Sequence, residues 1–188
     1  MTEIHALRDT YRSEKTALMA AMGAAGASTR GIRTLLRKLS SQAGSLLQTL
    51  WQHAQLPNDL ALVAVGGFGR DQLFPYSDVD VLLLLPNGVA TEAGSALRAQ
   101  LERFIGSCWD AGLEIGSSVR TVAECLAESA GDVTVQTSLL ESRLLCGNAA
   151  LFADFQQQYR AQMNPEAFLV AKTLEMRQRH QRQENTPY

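Results

Sequence analysis

Residues 66–80 read Gly-Gly-Phe-Gly-Arg-Asp-Gln-Leu-Phe-Pro-Tyr-Ser-Asp-Val-Asp, and the apolar run of residues 81–85 follows at once. No other stretch restricts the fold as much. A glycine-rich turn and a short spacer must lead straight into a buried strand. Side chains two positions apart on a strand project from the same face. Asp78 and Asp80 are therefore neighbours, while Val79 points the other way into a core. Two adjacent carboxylates repel each other, so a cation is the natural resolution. Hard Mg²⁺ prefers oxygen ligands together with substrate phosphates.

The glycines bear on the same chemistry. Gly66, Gly67 and Gly69 follow the aliphatic run of residues 60–65, where they let the backbone turn sharply and approach a ligand without Cβ interference. If residues 68–73 form a helical turn, its free N–H groups face a phosphate. Arg70 adds a fixed positive charge there, and Pro75 sets the approach to the strand. Ser77 either bonds a phosphate oxygen or caps the start of the strand. Each feature alone has a plainer reading, because glycines after strands usually only turn and a lone Arg is usually solvated. Their joint spacing, at the ends of two successive short strands, points to a triphosphate held against metal.

Bulk properties narrow the remaining classes. A chain of 188 residues with 46% hydrophobic and 19% charged content describes one ordinary soluble domain with a sizeable core. The formal net charge of −2 supplies no basic field that would ask for nucleic acid. The opening residues are polar and mixed in charge, and the apolar run after Asp80 is too short to span a bilayer. Cys108, Cys125 and Cys146 are odd in number, widely spaced and set in apolar helical contexts. They read as reduced, mostly buried thiols of a cytoplasmic protein. His5, His53 and His180 fall in predicted helices far from the glycine segment.

Periodicity predicts helices over residues 2–22 and 28–55, broken by Gly23–Gly26, which read as scaffold or interaction surface. Strands follow at residues 60–65 and 78–85, then a helix over 91–111 whose apolar face includes Leu101, Phe104 and Trp109. A third strand spans 113–121, and helices are expected at 122–129, 132–145 and 149–182, the last interrupted near Asn164-Pro165. From Arg177 onward the chain turns polar and offers no closing element. The order α-α-β-β-α-β-α-α-α predicts an α+β fold with a small mixed sheet, flanking helices and a helical C-terminal extension. The expected division is a helical segment over 1–56, a core over 57–147 and an extension over 148–188.

Residues 66–82 strongly resemble the nucleotidyltransferase superfamily signature, a Gly-Gly or Gly-Ser turn followed by Asp-x-Asp. The closer resemblance is to the N-terminal domain of the bacterial [protein-PII] uridylyltransferase and uridylyl-removing family. A second block carries it: Trp109-Asp-Ala-Gly-Leu-Glu-Ile-Gly-Ser-Ser-Val-Arg-Thr121, then Glu124-Cys-Leu and residues 132–147. Together the blocks cover roughly residues 60–150. The resemblance implies a nucleotidyltransferase-type sheet and transfer of UMP from UTP to a tyrosine hydroxyl of the PII signal protein. It implies Asp78 and Asp80 as the catalytic, metal-holding pair for Mg²⁺, with Gly66, Gly67, Arg70 and Ser77 as the nucleotide-binding set. Another nucleotidyltransferase with a different base or acceptor, such as an adenylyltransferase, shares the motif, as does a silent nucleotide-binding module. Superfamily members usually add a third carboxylate on the neighbouring strand. Here that strand offers Gly116 or Ser118 at the expected place, with Glu114 as the nearest acid. The family continues into a metal-dependent hydrolase domain and regulatory domains. No His-Asp pair occurs in this chain, which reads as a truncated N-terminal portion.

Overall fold

The computed structural model describes residues 2–25, 28–89, 92 and 94–182. Its helices are α1 (Thr2–Ala25), α2 (Thr29–Ala54), α3 (Gly66–Gly69), α4 (Ala96–Asp110), α5 (Val122–Gly131), α6 (Val133–Leu140), α7 (Ala149–Gln162) and α8 (Pro165–Arg182). Its strands are β1 (Ala61–Ala64), β2 (Val79–Leu85), β3 (Ile115–Thr121) and β4 (Arg143–Gly147). The α+β class with a small mixed sheet stands.

Local chemistry sets the ends of these elements. The Ser28 hydroxyl accepts from Gly31 N–H at 3.0 Å to open α2, and Gln55 closes it in the left-handed region at φ 48°. Thr121 and Glu124 cap one another's backbone N–H groups at the start of α5. Along α2, Leu36, Leu39, Ala43, Leu46, Leu47, Leu50 and Trp51 are buried at helical spacing. Each buried leucine contributes about 1.5–3 kcal/mol against exposure. The Trp51 ring meets Phe104 of α4 edge-on at 5.6 Å.

The sheet order is β3-β2-β1-β4, with β2 and β3 parallel and the other pairs antiparallel. The parallel pair needs a crossover, which α4 provides. Helices cover both faces. Val79, Val81, Leu83 and Leu85 join a core with α1, α2 and α4, while Leu82 and Leu84 join Val122, Cys125, Phe155 and Tyr159 on the other side. This double burial explains why residues 81–85 are uninterruptedly apolar.

Several expectations change. The helix predicted over 132–145 ends at Leu140, and residues 143–147 instead form β4 against β1. Without β4, β1 would carry unpaired backbone groups in the core, and pairing them outweighs the helical spacing of the leucines. Cys146 accordingly lies on a strand, whereas Cys108 and Cys125 are helical and buried as expected. Trp109 is 54% exposed, and the buried face of α4 is Leu101, Phe104 and Cys108. α1 continues past Gly23 to Ala25, and α4 begins only at Ala96, capped by Ser95. The last helical stretch is as expected, α7 and α8 meeting at Asn164-Pro165 and α8 ending at Arg182, while residues 183–188 of the polar tail lie outside the described residues. Residues 26–27, 90–91 and 93, where a break and a helix start were expected, also lie outside them.

Candidate active site

β1 leaves the core at Val65, and the chain reverses at Gly66 with φ +58°. That left-handed conformation is the reason for glycine there, because an added methyl group would meet nothing closer than Ser138 Oγ at 3.6 Å and Asp80 Oδ2 at 3.7 Å. The turn α3 begins at Gly66, two residues earlier than expected. Gly69 N–H donates to Val65 O at 3.0 Å, Arg70 N–H to Gly66 O at 3.1 Å and Gln72 N–H to Gly67 O at 3.0 Å. The first N–H groups of such a turn have no partner within it.

One backbone bond joins the two halves of the motif: Val65 N–H donates to Asp80 O at 3.1 Å. Asp78 and Asp80 flank buried Val79, whose N–H donates to Glu114 O at 2.8 Å and so locks the start of β2 to the start of β3. Asp80 titrates above the usual carboxylate range, first because it has lost solvent and second because the Asp78 charge lies beside it. Two neighbouring oxygen-donor side chains, one of them held above its usual range by burial and by the other's charge, fit a hard divalent cation such as Mg²⁺.

The parallel register sets Gly116 of β3 opposite Asp80. A methyl group on Gly116 would lie 2.5 Å from Asp80 Oδ1, so this position has room for the aspartate and none for an acid of its own. Glu114 lies on the α1 side and lines a cavity of about 130 Å³ with Tyr11, Lys15 and Ser77; burial first, and the Glu114 charge second, push the Tyr11 hydroxyl above its usual range. Among the described residues, no group of three or more His, Cys, Asp or Glu side chains is arranged to hold a metal ion.

The remaining sequence-predicted residues divide. Gly66 and Gly67 lie in the turn beside Asp80. Arg70 is ion-paired with Glu141, which holds its guanidinium at the edge of the turn. Ser77 does not reach toward the turn; its hydroxyl donates to Phe74 O at 3.1 Å within the loop that leads into β2.

Three residues that sequence reasoning passed over enclose the turn. Ser138 of α6 faces Asp80 across Gly66, Glu141 pairs with Arg70, and Arg143 of β4 donates to Phe68 O at 3.1 Å and Gly69 O at 3.3 Å. All lie in the block over 132–147 that carried the resemblance, yet a continuous helix there would have scattered them.

The nucleotidyltransferase domain family matches residues 46–143. The bifunctional uridylyltransferase/uridylyl-removing enzyme of Cupriavidus metallidurans is 52% identical over 182 residues, which are 97% of this chain and 20% of that protein. Its counterpart in Burkholderia mallei is 54% identical over 161 residues, covering 86% of this chain and 18% of the relative. The chain thus spans about a fifth of the length of the curated relatives it matches. With a family match over more than half its residues, which includes the glycine turn and the aspartate pair, the chain belongs to the nucleotidyltransferase domain family.

Proposed function

We propose that this chain is the nucleotidyltransferase portion of a uridylyltransferase and transfers UMP from UTP to a tyrosine of the PII signal protein. The observation that carries this reading is the Asp78–Asp80 pair tied to the glycine turn through Val65 N–H and Asp80 O. The uridylyl group comes from the likeness to the uridylyltransferases of Cupriavidus and Burkholderia.

In the proposed reaction the tyrosine hydroxyl releases its proton to solvent, its oxygen bonds to the α-phosphorus of UTP, the bond from that phosphorus to the bridging oxygen breaks, and pyrophosphate leaves. Asp78 and Asp80 would hold Mg²⁺. The bound cation supplies neutralisation of phosphate charge and polarisation of the reacting oxygens. Gly66 and Gly67 offer the triphosphate a side-chain-free backbone with unpaired N–H groups. Arg70, oriented by Glu141, adds positive charge at the rim of the turn. Ser77 serves the site by shaping the loop before Asp78, through its bond to Phe74 O.

No helix among the described residues is long and apolar enough to cross a membrane. The test is UTP- and Mg²⁺-dependent labelling of a PII protein by the wild type and by Asp78→Asn combined with Asp80→Asn. Labelling should disappear in the double variant, and undiminished labelling would overturn the assignment. Thermal shifts with UTP, ATP, CTP and GTP, each with Mg²⁺, read the base preference, with UTP expected to give the largest.

A further inference from the structure

We propose that Arg143 is the positioning residue of the glycine turn, gripping its carbonyl end so that its amide end stays fixed beside Asp80. Its functional meaning rests on the nucleotide-binding reading of that turn.

A turn of four residues cannot hold itself, because a first helical turn fixes many dihedrals for very few hydrogen bonds. It is followed by Asp71 at φ +64°, a backbone conformation that residues with a side chain rarely adopt. Arg143 meets both difficulties. Its Nη2 donates to Phe68 O at 3.1 Å and its Nε donates to Gly69 O at 3.3 Å. Its Nη2 also lies 3.5 Å from Asp71 Oδ1. The guanidinium stands 5.6 Å from the centre of the buried Phe68 ring.

Carbonyls at the end of a helical turn carry partial negative charge, and a guanidinium can satisfy two of them at once. A lysine ammonium lacks the planar fork needed to span both. The anchor is firm because Arg143 opens β4 and is in register with Ala64 of β1, the strand that delivers the turn. Arg143 therefore fixes Gly66–Gly69 relative to the sheet that carries Asp80, while its own donors are directed at the turn.

Amide hydrogen exchange, read residue by residue in wild type, Arg143→Lys and Arg143→Ala, tests this alongside UTP–Mg²⁺ kinetics. In Arg143→Ala the amides of Gly69, Arg70 and Gln72 should exchange roughly tenfold faster or more, while those of residues 81–85 keep their protection. The KM for UTP should rise by about tenfold, more than kcat falls, because the amide cradle is disordered before the nucleotide arrives. Arg143→Lys, which keeps the charge and the edge strand, should fall between the two and carries the comparison should the alanine variant not fold. Added ethylguanidinium should restore UTP affinity to Arg143→Ala, which a general loss of stability would not allow. Unchanged turn amides, or a parallel loss of protection in the turn and in β2, would overturn the proposal. Should the exchange result hold while wild type binds no UTP, the clamp stands and the nucleotide reading fails.

Discussion

Gly116 and Asp80 face each other across the parallel β2–β3 pair so closely that a methyl group on Gly116 would lie 2.5 Å from Asp80 Oδ1. The atom it meets is the far end of a rotatable side chain, so the fold can yield while the carboxylate cannot keep its place. Gly116→Ala should leave the melting temperature within about 3 °C of wild type. Mg²⁺-dependent transfer should fall roughly 10–100-fold, since a displaced ligand loses orientation rather than stability. Calorimetry beside initial rates checks both, and a variant with wild-type rates contradicts the assignment of Asp80.

Gly69 presents the opposite case. A methyl group there would lie 1.7 Å from Glu141 O and 3.0 Å from Ala64 O, both backbone atoms in packed surroundings. Nothing can rotate away, so Gly69→Ala should destabilise the chain by about 3 kcal/mol or more. Urea titration should show the midpoint falling with activity lost in proportion to the unfolded fraction.

Asp80 ties stability to pH. Its carboxyl titrates above the usual range through loss of solvent and the nearby Asp78 charge. The folded state therefore binds this proton more tightly than the unfolded chain does. A destabilising contribution develops as pH rises from the unfolded value through the folded one, and it vanishes at lower pH. Asp80→Asn should raise the melting temperature at neutral pH by about 1–3 °C, and the gain should shrink in acid. Added Mg²⁺ should stabilise only the wild type. A variant less stable than wild type at neutral pH would refute the electrostatic account.

The thiols give a reagent-level check. Burial pushes Cys108 and Cys125 up to about 12 and Cys146 up to about 11. At pH 8 the native chain should thus react with a disulfide reagent far more slowly than free cysteine, with Cys146 first. Denaturant should release all three.

What could be read from sequence was local. Asp78 and Asp80 needed only the two-residue period of a strand, and Gly66 only the need for a sharp reversal after β1. Gly69 was placed in the turn, but its contact with the Glu141 backbone was invisible, since no propensity encodes the approach of a remote segment. β4 was missed for the same reason. The leucine pairs at 139–140 and 144–145 suit a helix until the free edge of β1 is known to need a partner. Trp109 fits the apolar periodicity of α4 yet lies outward, because hydrophobic spacing defines a stripe and not which of its margins the sheet covers.

The contacts that hold the turn span 71 positions between Arg70 and Glu141 and 75 between Phe68 and Arg143. This separation orders events in time. Local helices such as α2 can form early, whereas the turn acquires its clamp only after the last strand has crossed back to the sheet. A nascent chain that has passed residue 80 holds the whole Gly-Gly and Asp-x-Asp signature but not the support that shapes it. On the proposed reading, a chain that stops short of the closing strand would carry the motif without the groups that hold its turn in place.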